Sequence, residues 1–444
     1  MIMCINVLRY FIQLFTFLLI LWPISHASKH NTIKSLPGFP GNLPFTLQTG
    51  YVGVGDKEEV QLFYYFVESE RNPKNDPLLL WLTGGPGCSA FSGLVIEIGP
   101  LNLNDSASSW ESEIPSFKLN PFSWTKVASV VFLDAPVGTG FSYSTTHGGY
   151  YSNDILQSSH IHEFLRKWLL DHMDFKDNPL YISGDSYCGK IVPIVIQNIL
   201  IGNKANMAPK MNLKGYILGN PLTRFKEEVV SSIEYAERVS LLSTELYEST
   251  EKSCSGSYDD VDAECTRLLQ VVSDNLDPLF DAHVLKPKCL TPQTQCQETN
   301  YQLLFKWANN ADVRAALQIR QGTKSQWTRC NETLAYEDNV ESVLGYHKNF
   351  TKELLHALIY SGDQDMKVSY VGTLEWIKNL RIKILDDWRP WFVKSQVAGY
   401  TTKFSNGQYD LTFATVKGAG HTAPEYKRQE CLTMIKKWLA KDPL

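Results

Sequence analysis

The sequence predicts an α/β fold, a mostly parallel central sheet with helices on both faces. Three observations lead there. Short continuous apolar runs bounded by Gly, Pro or Asp recur along the chain, as in strands buried on both sides. Runs with helical spacing lie between several of them. A chain of 444 residues that is 43% hydrophobic and 20% charged can bury a core of that size.

The strand-like runs, in order, are Val60–Val67, Leu78–Leu82, Ser129–Leu133, Leu180–Ser183, Gly215–Leu218, Ala357–Tyr360 and Leu411–Val416. Ile161, Phe164, Leu165, Trp168 and Leu169 fall at i, i+3, i+4, i+7 and i+8, which gives a helix one apolar face. Cys431, Ile435, Trp438 and Leu439 do the same within Tyr426–Lys441. Residues 221–330 break the rhythm with much charge and few sheet-like runs, and read as an inserted helical cap. Ser255–Asp262 inside it is polar and rich in Ser, Gly and Asp, the composition of an exposed loop open to proteolytic cleavage, which would give a two-chain form.

Residues 1–27 read as a signal peptide. Arg9 precedes an apolar run from Phe11 to Trp22, and Ser25-His26-Ala27 supplies small residues for cleavage. The run is too short for the ~20 residues a membrane span needs, so no membrane association is expected after its removal. Residues 28–444 then form a single domain. Cys4 leaves with the signal, and the closely spaced Cys254/Cys265 and Cys289/Cys296 suit disulfides in an exported chain. Sequons begin at Asn104, Asn331 and Asn349 and point to glycosylated exposed loops. The chain is expected in the secretory pathway, bound for the vacuole or the extracellular space. A net charge of −5 without a long basic run argues against nucleic-acid binding. No cofactor and no metal are expected. The one His-x-x-x-His pair, His26 and His30, straddles the cleavage site, and no Cys-x-x-Cys occurs.

Leu180–Ser183 runs into Gly184-Asp185-Ser186-Tyr187-Cys188-Gly189 and then a helix-prone run. This is a nucleophile elbow, a strand–turn–helix that holds a serine oxygen clear of the backbone. Cys188 stands where the strict pattern has Gly, and a residue that small leaves the turn feasible. Serine needs a base oriented by an acid. Asp363, after Ile359–Gly362, and His421, in Gly418-Ala419-Gly420-His421, follow it in the α/β-hydrolase order of Ser, acid, His, each just past a strand. Singly, His421 reads as a loop histidine and Asp363 as a turn former; together with Ser186 they read as a triad. Trp81-Leu82-Thr83-Gly84-Gly85-Pro86 sets a Gly-Gly pair after a strand, which can supply half of an oxyanion hole, with the Tyr187 N–H as the other half; a plain tight turn is the alternative.

These motifs, with Asp134–Gly138, Gly140–Ser144, Ser361–Asp365 and Gly420–Pro424, resemble the serine carboxypeptidase family over essentially the whole mature chain. The resemblance implies Ser186 as nucleophile, His421 as base, Asp363 as orienting acid, and Gly85 and Tyr187 as the hole. It implies the disulfides Cys88–Cys330, Cys254–Cys265 and Cys289–Cys296, leaving Cys188 and Cys431 free. Carboxypeptidases of the family grip a terminal carboxylate with an Asn, a Glu before the nucleophile and a supporting Glu. Here Glu97 is kept, but Thr83 and Asp185 replace the other two. Threonine lacks amide donors, and aspartate is one methylene shorter. The altered set of Thr83, Gly84, Glu97 and Asp185 is similar to that of the plant carboxypeptidase-like acyltransferases, as are Gly50–Gly55 and Asp387–Trp391. That branch implies an acyltransferase drawing on a 1-O-β-acylglucose donor and an alcohol or phenolic acceptor. A serine-type carboxypeptidase and a non-catalytic binding protein on a hydrolase fold are the alternatives.

Overall fold

The computed structural model describes residues 31–444 except 105, 255–261 and 290–295. The signal peptide over 1–27 and nearly all of the Ser255–Asp262 loop therefore lie outside the described residues.

Twelve strands form the main sheet: β1 Asn31–Ile33, β2 Leu47–Val54, β3 Val60–Val67, β4 Leu78–Leu82, β5 Ser129–Leu133, β6 Tyr143–Ser144, β7 Leu180–Asp185, β8 Leu213–Gly219, β9 His356–Gly362, β10 Ile384–Val393, β11 Gln396–Ser405 and β12 Asp410–Val416. Their order is β1-β2-β3-β5-β4-β7-β8-β9-β12-β11-β10, with β6 on β3. The six from β5 to β12 in that order run parallel, and the strands flanking them pair antiparallel. This is the α/β-hydrolase arrangement that the sequence predicts.

Period-two alternation sends side chains to two cores. Leu78, Leu80 and Leu82 meet Ile182 and the helices 154–171 and 188–204 on one face. Leu79 and Trp81 face the other way, toward Cys431, Met434 and Ile435 of helix Arg428–Leu439. The helix read from the Ile161 spacing is Asp154–Asp171, with Ile161, Phe164, Leu165 and Trp168 fully buried and the Asn153 side chain accepting from the Leu156 N–H as its cap.

Residues 221–330 hold the helices Phe225–Arg238, Thr244–Ser253, Ala263–Leu276, Gln297–Ala308 and Ala311–Ala316. The first part has a small core of its own, in which Ile233, Tyr235, Leu242 and Val272 pack with Met366 and Val371. From 297 onward the segment behaves differently, because Leu304 and Trp307 sink into the second sheet core. Asn349 is exposed, but it sits in the helix Leu344–Phe350 rather than a loop. The amides of Asn104 and Asn331 donate to Ser116 Oγ and the Gly138 carbonyl, both at 3.0 Å.

Candidate active site

The C-terminal ends of β4, β7, β8, β9 and β12 converge on Ser186. This serine lies one residue past β7 with φ +54°, a left-handed conformation that a side chain rarely adopts. Its N–H donates to the Gly219 carbonyl, and its own carbonyl accepts from the Gly189 and Leu222 N–H groups, each at 2.9 Å. The sharp turn is thus fixed from both sides. Cys188 fits because Gly184 leaves it room: a Cβ on Gly184 would lie 2.7 Å from Cys188 Cβ. Burial pushes the Cys188 thiol well above its ordinary pKa, which keeps it an unreactive packing group.

Ser186 Oγ is 2.8 Å from His421 Nε2. The partner of His421 Nδ1 corrects the sequence reading. It is Asp365 Oδ2, at 2.8 Å, and not Asp363. Asp363 serves the turns instead: its Oδ1 accepts from the Gly418 N–H at 2.7 Å and from Gln364 Nε2 at 3.0 Å. The reason is the course of the chain beyond β9. Asp363 continues the strand direction and meets the loop after β12. The turn closed by the Asp365 N–H and the Gly362 carbonyl then points the second acid back under the imidazole. Asp365 is fully buried and completely partnered, with Oδ1 accepting from the Lys367 and Val368 N–H groups and Oδ2 from Asn220 Nδ2 at 2.7 Å. Asn220, just past β8, also accepts from the Gly362 N–H, and sequence reasoning missed it.

Burial works against a charged His421. The charge of Asp365 and its hydrogen bond, reinforced by Asp185, overcome this and raise the imidazole pKa above its ordinary 6.5. A short segment of the insertion braces both loops. The Ala282 carbonyl accepts from the His421 N–H at 2.7 Å, the Asp281 carbonyl from the Met366 N–H at 2.9 Å, and the Val284 N–H donates to the Gln364 carbonyl at 3.0 Å. Tyr235 adds a hydroxyl bond to the Asp363 carbonyl.

The loop after β4 adjoins the elbow. A Cβ on Gly84 would stand 2.6 Å from Ser186 Cβ and 3.0 Å from the Tyr187 nitrogen, so only glycine fits there. The Gly84 N–H is taken by Asp185 Oδ1 at 3.0 Å. Gly84 therefore fixes the loop and leaves Gly85, at φ +122°, as its next N–H. Among the described residues, neither the Gly85 nor the Tyr187 N–H makes a hydrogen bond within the protein. Glu97 Oε2 accepts from the Trp81 indole at 3.0 Å, while Glu97 Oε1 and Thr83 Oγ1 are buried with no partner. Burial, then the Asp185 charge, pushes the Glu97 carboxyl well above the usual range, and burial raises Asp185 too. The Arg329 guanidinium draws both downward. It lies over the Tyr301 ring at 4.0 Å, next to Cys330, and sequence reasoning missed it as well. No trio of His, Cys, Asp or Glu among the described residues is arranged to hold a metal ion.

Among the described residues, Cys88–Cys330, Cys254–Cys265 and Cys289–Cys296 are disulfide-bonded, and Cys188 and Cys431 are free and buried.

Comparison with known proteins agrees with the fold. The crystal structure of Kex1Δp, a prohormone-processing carboxypeptidase from Saccharomyces cerevisiae, superposes with a TM-score of 0.76 at 18% identity, covering 94% of this chain and 96% of that one. Serine carboxypeptidase-like 1 of Arabidopsis thaliana is 47% identical over 422 residues, 94% of each chain. Serine carboxypeptidase-like 10 of the same plant is 46% identical over 436 residues, 96% of this chain and 98% of its own. The family model described as serine carboxypeptidase matches residues 37–441. With an α/β-hydrolase sheet beneath a Ser–His–Asp chain of hydrogen bonds, this protein is an enzyme of the serine carboxypeptidase family, on its plant serine carboxypeptidase-like side.

Proposed function

We propose that the enzyme transfers an acyl group from a 1-O-β-acylglucose to an alcohol or phenol. One observation carries this reading. The side chain before the nucleophile, Asp185, is bonded to the Gly84 N–H, and beside it Thr83 Oγ1 and Glu97 Oε1 stay buried and unpartnered. With the Glu97 carboxyl pushed upward by burial, this patch offers a hydroxyl and a carboxyl rather than amide donors. Such groups suit the hydroxyls of a departing sugar better than the carboxylate of a departing amino acid.

The chemistry follows from the hydrogen bonds. His421 Nε2 takes the Ser186 hydroxyl proton as Oγ attacks the donor's carbonyl carbon. Asp365 stabilises the imidazolium without accepting its proton. The negative oxygen meets the Gly85 and Tyr187 N–H groups. Collapse breaks the bond to the anomeric oxygen, which leaves as glucose with the proton from His421. His421 then deprotonates the acceptor hydroxyl, whose oxygen attacks the acyl-enzyme, and the proton returns to Ser186 Oγ. Water in place of the acceptor would give hydrolysis, so keeping water out decides the outcome.

Purified protein given a hydroxycinnamoyl or galloyl glucose donor should form ester with an alcohol or phenol present, and should cleave a blocked dipeptide slowly. Rapid dipeptide cleavage without transfer would sink this reading in favour of the carboxypeptidase, which the retention of Glu97 supports. Absence of labelling at Ser186 by a serine-reactive inhibitor would favour a non-catalytic binding role. We also propose export through the secretory pathway to vacuole or extracellular space, supported by residues 1–27 and the three sequons.

A further inference from the structure

Tyr187 contributes more than its backbone to the site. Its phenol donates to Asp154 Oδ1 at 2.7 Å, and its ring carries the Lys190 ammonium 5.1 Å from the centroid. Asp154 and Lys190 are fully buried, at 0% and 1% side-chain exposure, and lie 3.4 Å apart as an ion pair. Catalysis as described uses neither.

Asp154 is also where a second segment is tied down. Tyr336 Oη donates to the same Oδ1 at 2.7 Å, the Val340 N–H donates to Oδ2 at 2.9 Å, and Lys190 reaches across to Asp338. Ser152 and Asn153, just before Asp154, pair in parallel with Tyr336 and Glu337. The other end of that segment is fastened to the loop carrying Gly85. Cys330 is disulfide-bonded to Cys88, and the Asn331 N–H donates to the Gly87 carbonyl at 2.9 Å. Residues 330–340 therefore connect the two turns whose N–H groups face the developing oxyanion. Each turn comes from a different strand, and this segment ties them in addition to the sheet and the Asp185–Gly84 bond.

We propose that Asp154 is a positioning residue for the oxyanion hole, acting through the Tyr187 phenol to hold the Tyr187 N–H in register with that of Gly85. The proposal rests on Ser186 being an acyl-accepting nucleophile; it does not depend on which donor is used. Removing Asp154 also takes from the buried Lys190 ammonium one of its two carboxylate partners, Asp154 and Asp338, which destabilises the fold. Tyr187→Phe is the cleaner variant, because it cuts the link and leaves the Asp154–Lys190 ion pair in place.

The test uses the full chain, a p-nitrophenyl ester and a fluorophosphonate that labels serine. Tyr187→Phe should lower kcat by tenfold or more, with KM within about twofold, and should slow labelling in parallel. Adding Asp154→Asn to Tyr187→Phe should lower the melting temperature yet leave kcat at the single variant's value, because the link is already cut. Losses in kcat that multiply, or a Tyr187→Phe enzyme with unaltered kcat and labelling, would overturn the proposal while leaving Ser186 as nucleophile. If the double variant does not fold, the kcat and labelling of Tyr187→Phe decide alone. Failure of the unaltered chain to label at Ser186 would remove the nucleophile reading, and this proposal with it.

Discussion

The two sides of the Ser186 turn are finished to different degrees. On the side of His421, every polar atom of the acid has a partner: Asp365 accepts from Asn220, Lys367 and Val368 besides contacting the imidazole. On the side of Thr83, a hydroxyl and a carboxyl oxygen are buried with none. An unpaired buried polar group costs about 1–3 kcal/mol. A protein keeps such groups where something else completes them. The saturated side holds the imidazole in place, and the unsaturated side leaves polar atoms next to the nucleophile turn uncommitted.

The largest effect should come from breaking the saturated side. Asp365→Asn should lower kcat by about 10⁴, because the imidazole loses its orienting charge. Asp363→Asn should lower it less than about tenfold, since an amide oxygen can still accept from Gly418. Equal losses would return the acid role to Asp363. The same pair gives a pH signature. His421 must be neutral to act as base, and its raised pKa sets the acid limb of kcat/KM above pH 6.5. Activity is lost as the pH falls through that value, and the limb should move down in Asp365→Asn.

A smaller effect is expected from rebuilding the unsaturated side. Thr83→Asn with Asp185→Glu restores amide donors and the missing methylene, and should raise dipeptide cleavage relative to acyl transfer by about tenfold, equivalent to ~1.4 kcal/mol. An unchanged ratio would mean that selection lies elsewhere.

The smallest concerns stability. Glu97 binds its proton more tightly folded than unfolded, so the folded state loses stability as pH rises from the unfolded carboxyl value near 4.5 through the raised folded one. Glu97→Gln should flatten that part of the Tm–pH curve by a few degrees. A curve of unchanged slope would exclude Glu97 as a source.

The parallel centre of the sheet was plain in the sequence because its strands are buried on both faces and read as unbroken apolar runs: β4 and β5 begin and end where those runs do. The long hairpin of β10 and β11 was not. Its strands carry Asp386, Asp387, Arg389, Lys403 and exposed Trp388 and Phe392, with irregular register, so neither period dominates. Ser186 and His421 were legible because each stands in a turn just past a strand. Choosing between Asp363 and Asp365 was not possible from pattern, since two acids in one turn differ only in where the backbone bends. Asn220 and Arg329 depend on contacts between distant strands and a disulfide loop, which no local signal carries.

The bracing of His421 and the acid turn by Asp281–Val284 bears on how such enzymes diversify. A segment that hydrogen-bonds the backbone of both loops cannot be exchanged with its surroundings as an independent module. A graft of this insertion into a relative would carry the alignment of the host's base with it. Variation should therefore accumulate around that stretch while the spacing through it stays fixed.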